Sequence, residues 1–92
     1  MNDDRSKPAH ITVYATPYCG DTRRARRVLD ELRIEYDFVD IRLDQEAARW
    51  VEQVNNGFRS SPTIAFPDGT TLTEPSEKVL RAKLEQLTTS SA

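Results

Sequence analysis

Cys19, the only cysteine among 92 residues, is the strongest candidate nucleophile of this chain. It sits in Thr16-Pro17-Tyr18-Cys19-Gly20-Asp21-Thr22, after a β-branched run, Ile11-Thr12-Val13-Tyr14-Ala15, and before an amphipathic run from about Asp21 to Arg33. A strand, a tight turn and a helix in that order leave the sulfur at the first helical turn. Backbone N–H groups lack partners there, and the helix dipole presents its positive end. A thiol held in such a place ionises more readily, and the thiolate is the reactive form. Arg23 is close enough in sequence to add positive charge, whereas Asp21 stabilises the helix but opposes ionisation of a neighbouring thiol. The chemistry these residues point to is that of a reactive thiolate. The competing reading is a buried, inert cysteine, and Pro17, Tyr18 and Gly20 argue instead for an exposed turn.

A single cysteine excludes any intramolecular disulfide and any zinc site built from several local cysteines. With His10 as the only histidine, the expected metal ligand set is none. Thirteen basic and fifteen acidic residues leave a net charge of −2, which gives no general reason to expect nucleic acid or an anionic membrane as partner. Apolar residues at 37% and charged residues at 30% fit one small globular domain. No apolar run approaches the roughly 20 residues of a membrane span. Met1 to Pro8 is polar without an apolar stretch, so no signal peptide is read and a cytoplasmic location is expected.

The elements that must hold Cys19 can be read in order. Residues 1–9 read as a flexible tail, with an exposed His10 where the tail meets the first strand. Ala25, Val28, Leu29 and Leu32 form the apolar face of the first helix, and the arginines around them are mostly its solvated side. Tyr36-Asp37-Phe38-Val39-Asp40-Ile41 is a second strand. Asp44 caps a second helix that runs through about Val54 and buries Ala47, Trp50, Val51 and Val54. Asn55-Asn56-Gly57 ends it with residues that tolerate the left-handed conformation. Thr63-Ile64-Ala65-Phe66 and Thr70-Thr71-Leu72-Thr73 flank a Pro67-Asp68-Gly69 turn as a hairpin. Ser76 caps a last helix that turns Val79, Leu80, Leu84 and Leu87 inward, and residues 88–92 read as a frayed tail. The order is β-α-β-α-β-β-α in one domain over residues 10–87. The first two strands should be parallel through a right-handed crossover, and the hairpin antiparallel, giving a mixed four-stranded sheet flanked by three helices.

Taken together, Thr16-Pro17-Tyr18-Cys19-Gly20, Val54-Asn55-Asn56-Gly57 with Arg59, Ser61-Pro62-Thr63, and Asp68-Gly69 followed by Leu72-Thr73-Glu74-Pro75-Ser76 resemble a glutaredoxin-type member of the thioredoxin-like superfamily. The likeness is strongest to the mycoredoxin branch, found in bacteria that use thiols other than glutathione. It spans about residues 10 to 87. The resemblance implies that Pro62 is a cis-proline opposite Cys19 and that Ser61, where the family usually has valine, pairs its backbone with the substrate like an added strand. It also implies a small-thiol pocket walled by Tyr18, edged by Arg59, and closed by Thr73, Glu74 and Ser76 at the start of the last helix. A helix N-terminus suits a carboxylate there, and Glu74 would repel one.

Dithiol relatives carry C-x-x-C, and here the second position is Thr22, expected to offer its hydroxyl or N–H to the thiolate. With no second cysteine, turnover has to run through an external low-molecular-weight thiol as co-substrate, with no tightly bound cofactor. The expected activity is monothiol thiol–disulfide exchange by Cys19, assisted by Thr22 and Arg23, on mixed disulfides of proteins with mycothiol, bacillithiol or glutathione. The protein is expected to act as a monomer. Two alternatives stay open. One is a non-catalytic thioredoxin-fold binding module, and the other is an iron–sulfur carrier formed as a thiol-bridged dimer, which Asp21-Thr22 fits less well than the C-G-F-S pattern. An arsenate-reductase relative needs arginine six places after the cysteine, where this chain has Ala25.

Overall fold

The computed structural model describes residues 10–90, so the tail expected over residues 1–9 lies outside the described residues, as do the last two residues. The elements are β1 (Ile11–Ala15), α1 (Gly20–Glu31), β2 (Tyr36–Asp40), α2 (Gln45–Val54), β3 (Thr63–Ala65), β4 (Thr71–Thr73) and α3 (Glu77–Ser90). They follow the expected β-α-β-α-β-β-α order of the thioredoxin-like fold.

All five residues of β1 are buried, which requires cover on both faces of the sheet. The strand order β2-β1-β3-β4 accordingly puts β1 inside, parallel to β2 with Val13 opposite Phe38 and antiparallel to β3 with Val13 opposite Ile64. β4 closes the hairpin with Leu72 opposite Ile64. On one face Ile11, Val13, Ala15, Ile64 and Phe66 pack with Ala25, Val28 and Leu29 of α1 and Leu80 and Leu84 of α3. On the other face Tyr14, Ile41 and Ala65 pack with Ala47, Ala48 and Val51 of α2. Full burial of side chains such as Phe66, Leu29 and Ile64 stabilises the fold by about 1.5–3 kcal/mol each. Trp50 is partly buried and lies on Tyr14, ring centroids 4.7 Å apart.

The helices stop where the chain can close them. α1 ends at Glu31, two residues before the expected Arg33, because Arg33 turns left-handed at φ 57°. The Arg33 N–H then donates to the Asp30 carbonyl and the Ile34 N–H to that of Leu29, both at 3.0 Å, a Schellman closure. α2 begins with Asp44 accepting the Ala47 N–H at 3.0 Å. It ends in the same way as α1, Asn56 at φ 58° and the Gly57 N–H on the Glu52 carbonyl. Three apolar positions expected inside are exposed: Leu32, Val54 and Val79. Leu32 and Val54 fall at helix ends, beyond the cover of the sheet, and Val79 lies in the first turn of α3, beside rather than on the Leu80–Leu84 line. Ser76 accepts the Val79 N–H at 3.2 Å as the expected cap. α3 continues past Leu87 to Ser90, with the Thr88 hydroxyl bonded back to the Leu84 carbonyl.

One ion pair ties the hairpin turn to α3: Lys83 Nζ lies 2.6 Å from Asp68 Oδ2 and above the Phe66 ring. Hydrogen bonds from Lys83 and Thr70 hold the Asp68 carboxyl down to about 2. The opposite end of the sheet gathers the ends of β1, β2 and β4 and the starts of β3, α1 and α3. Cys19 is there.

Candidate active site

Cys19 is the N-cap residue of α1, with extended backbone at φ −74° and ψ 135°. A short polar N-cap side chain ordinarily accepts from the second or third helical N–H. Here that position belongs to sulfur, and the N–H groups of Gly20, Asp21 and Thr22 have no backbone acceptor among the described residues. No cap hydrogen bond forms in the thiol state; the Sγ–H instead donates to the Ser61 carbonyl at 3.7 Å. Ionisation gives up that bond and leaves an anion beside free N–H donors. Cys19 is half-buried, and a Cβ added at Gly20 would meet nothing within 4 Å, so the approach beside the sulfur is open.

Opposite the sulfur, the Ser61–Pro62 peptide bond is cis, as expected. Pro62 is buried, and its carbonyl accepts the Glu74 N–H at 2.8 Å. The Ser61 N–H has no partner among the described residues, and the Ser61 carbonyl receives only the thiol. This leaves a donor and an acceptor on one residue, available to an added strand. The Ser61 hydroxyl points inward: Oγ accepts the Thr16 N–H at 2.9 Å, and lies 3.1 Å from Thr22 Oγ1 and 3.4 Å from Thr16 Oγ1.

Thr22 is fully buried, and its hydroxyl is engaged by Ser61 instead of the sulfur. Arg23 is exposed, and its side chain makes no hydrogen bond or ion pair among the described residues; it borders a surface groove with Arg26 and Arg27 on the outer side of α1. Asp21, whose charge works against a thiolate, is ion-paired with Arg24. Tyr18 is 73% exposed, and the Arg42 guanidinium stands 5.1 Å from its ring centroid. Arg42 is itself held by Asp40, Nη2 to Oδ2 at 2.6 Å and Nε to Oδ1 at 3.0 Å. That pairing lowers the Asp40 carboxyl below its ordinary range and raises the Arg42 guanidinium above its own.

The remaining predicted residues are linked less directly. Thr73 donates to Asn55 Oδ1 at 2.6 Å, while Asn55 Nδ2 donates to the Val51 carbonyl at 2.9 Å and to Thr63 Oγ1 at 3.0 Å. Thr63 and Thr73 are a cross-strand pair, so one amide brackets both, and Thr63 passes the connection on to the Ser60 carbonyl at 2.9 Å. Glu74 turns left-handed at φ 47°, and its carboxylate has no partner among the described residues. The Ser76 hydroxyl is occupied in capping α3. Arg59 is paired with Glu52 at 2.5 Å, toward α2 and not toward the sulfur. No three metal-ligating side chains gather among the described residues.

Cys19, Thr22, Ser61, Pro62 and the Glu74 backbone thus form one bonded cluster, Tyr18 precedes Cys19 in the chain, and Thr73 is linked through Asn55 and Thr63 to the carbonyl of Ser60, the residue before Ser61. Arg23, Arg59 and Ser76 do not bond to it. The Arg42–Asp40 brace and the Asn55 bracket went unread in the sequence. Asn55 carried a signal as a helix-ending residue with a spare amide; Arg42 carried none.

The glutaredoxin family model matches residues 11–70. A Mycobacterium tuberculosis H37Rv protein with a provisional glutaredoxin name is 44% identical over 79 residues, covering 86% of this chain and 94% of that protein. Mycoredoxin 1 of Corynebacterium glutamicum is 40% identical over 79 residues, covering 86% of this chain and 98% of its own length.

Proposed function

The chain belongs to the glutaredoxin family of thiol–disulfide oxidoreductases, and we propose that it works through Cys19 alone, reducing mixed disulfides between proteins and a low-molecular-weight thiol. The observation that carries this reading is a half-buried cysteine on unpartnered helix N–H groups, facing the open backbone of Ser61, in a chain with no second cysteine.

The Cys19 thiolate attacks the sulfur contributed by the small thiol. The mixed S–S bond breaks, the protein sulfur leaves as thiolate and takes a proton from solvent, and a new disulfide joins Cys19 to the small thiol. With no neighbouring cysteine to resolve it, this adduct waits for a second small thiol, whose thiolate attacks it. The two small thiols depart as their own disulfide, and Cys19 is returned as thiolate. The backbone N–H groups of Gly20, Asp21 and Thr22 stabilise the anion at both ends of the cycle. Ser61 offers its N–H and carbonyl to the incoming backbone, and the exposed Tyr18 ring forms a wall for the small thiol.

The test uses a peptide carrying glutathione, mycothiol or bacillithiol as a mixed disulfide, with Cys19→Ser as blank. The expected result is release of peptide thiol and, by mass spectrometry, a one-to-one adduct of the small thiol on Cys19 that a second equivalent removes. Failure with all three thiols, or an adduct carrying the peptide, overturns the reading.

A further inference from the structure

The chain between α2 and the cis-proline loop carries Asn56-Gly57, a pair outside the bonded cluster around Cys19. Both residues are exposed, and a Cβ added at Gly57 would meet nothing within 4 Å. An asparagine followed by glycine is open to attack by its own chain, because no side chain beside the next backbone nitrogen blocks its approach. The Gly57 nitrogen adds to the carbonyl carbon of the Asn56 side chain, the amide nitrogen leaves as ammonia, and a five-membered imide closes. Water then opens the imide at one of its two carbonyls. One opening gives aspartate. The other gives isoaspartate, in which the main chain runs through the former side chain and is longer by one methylene. In either case one amide and one water become one carboxyl and one ammonia.

In the folded chain that nitrogen is engaged. Asn56 is left-handed at φ 58°, and the Gly57 N–H donates to the Glu52 carbonyl at 2.6 Å, the long bond of the closure that ends α2. A second bond, from the Phe58 N–H to the Asn55 carbonyl at 3.2 Å, spans the same Asn56–Gly57 peptide. To attack, the nitrogen must give up its proton and turn toward the Asn56 side chain, and the Glu52 carbonyl holds both the proton and the orientation. We propose that Asn56 is a deamidation site gated by the closure of α2: the closed turn withholds the Gly57 nitrogen, and each opening releases it for ring formation. The isoaspartyl product then latches the turn open. An added methylene between the α-carbon of residue 56 and Gly57 displaces the two N–H groups that return to Glu52 and Asn55. The closure that resisted the reaction cannot re-form around its product.

Asn55 is the internal control. Its side-chain nitrogen donates to the Val51 carbonyl and to Thr63 Oγ1, its oxygen accepts from Thr73, and the residue after it carries a side chain. The same turn leads through Phe58 and Arg59 to Ser60 and the cis Ser61–Pro62 bond, so a latched turn adjoins the loop that faces the sulfur. The inference does not rest on thiol exchange, because mass and amide exchange read it directly.

The test incubates the full chain at mildly alkaline pH, native and in guanidinium chloride, and follows Asn56 by peptide mass spectrometry with the aspartyl and isoaspartyl products resolved. Conversion in the native chain is expected to be slower by about tenfold or more, the size of two neutral hydrogen bonds that open together, with Asn55 lagging behind Asn56 in the unfolded chain. The slowing should match the protection of the Gly57 amide against hydrogen exchange, since both need the same local opening. Equal rates in the two arms, no conversion in the unfolded chain, or a protected Gly57 amide beside rapid conversion overturns the gate. Isoaspartyl protein from the unfolded arm is then isolated by chromatography, refolded and compared with Asn56→Asp, which carries the same charge on an ordinary backbone. Asn56→Asp should keep the protection of Gly57, and the isoaspartyl form should lose it, through an open turn or through failure to refold. Equal protection in the two overturns the latch.

Discussion

Replacing Asn55 by alanine removes a bracket that joins α2 to both strands of the hairpin beside the site. Three hydrogen bonds are lost, to the Val51 carbonyl, to Thr63 Oγ1 and from Thr73 Oγ1, and they are not equal. The Val51 carbonyl keeps the Asn55 backbone N–H at 3.1 Å, so that loss is worth about 0.5 kcal/mol, the low end for a neutral bond. The exposed Thr73 hydroxyl turns to water, for about the same. Thr63 is fully buried and loses its only donor while still donating to Ser60, which costs about 1 kcal/mol. The total is about 2 kcal/mol, or a fall in Tm of about 8–16 °C for a domain of this size. Urea and thermal denaturation of Asn55→Ala measure it. Asn55→Asp should be worse than alanine, because an acceptor-only carboxylate would face the Val51 carbonyl and Thr63 Oγ1. A loss below about 0.5 kcal/mol for alanine, or an aspartate variant more stable than the alanine one, would refute the bracket.

Arg33→Gly should stabilise the protein by about 0.5 kcal/mol and raise Tm by about 2–4 °C, since it relieves a left-handed non-glycine residue against the entropy glycine loses on folding. Arg33→Ala should give no such gain, and a lower Tm for the glycine variant would contradict the Schellman closure. The Asp68 carboxyl is depressed in the folded state, so its contribution is fully present above its unfolded value near pH 4 and is lost as pH falls toward about 2. Urea midpoints between pH 5 and 2 should therefore fall less steeply in Asp68→Asn than in the parent; parallel curves would count against the Lys83 pairing. Arg42→Ala removes the cation over Tyr18, an exposed contact worth about 0.5–1 kcal/mol. It should raise KM for the mixed disulfide several-fold with little change in kcat or Tm, and an unchanged KM would separate Arg42 from the site.

The fold was legible because its signals are periodic and local. Ile11, Val13 and Ala15 alternate, Ala25, Val28 and Leu29 repeat at helical spacing, and Asp68-Gly69 marks its turn. The errors fall at the ends of helices, where the periodicity continues but the cover does not: Leu32 lies just after α1, Val54 is the last residue of α2, and Val79 is in the first turn of α3. The site was legible where a short stretch of chain carries it, as for Cys19 and the Ser61–Pro62 bond. It was not legible where distant polar atoms meet. The direction taken by the Thr22 hydroxyl depends on an oxygen at position 61, and the support of Tyr18 depends on position 42; no spacing rule connects either pair. Arg23 shows what nearness in sequence leaves open: its side chain is exposed and borders a groove with Arg26 and Arg27, without a bond to the cluster around the sulfur among the described residues.

The place of β1 inside the sheet also sets when the cysteine becomes part of a site. β1 and Cys19 leave the ribosome before β3 does, and α1 closes on local contacts. Val13, however, pairs with Ile64, and the cis-proline loop that faces the sulfur arrives only with β3. Such non-local pairings form late, after the cost of closing the intervening loop has been met. A nascent chain that has reached α2 therefore holds the cysteine and its helix without the Ser61 backbone, the Thr22 tether or the Pro62–Glu74 contact. The sulfur is made before its surroundings, so the arrangement around Cys19 is one that the chain acquires only when its second half has docked.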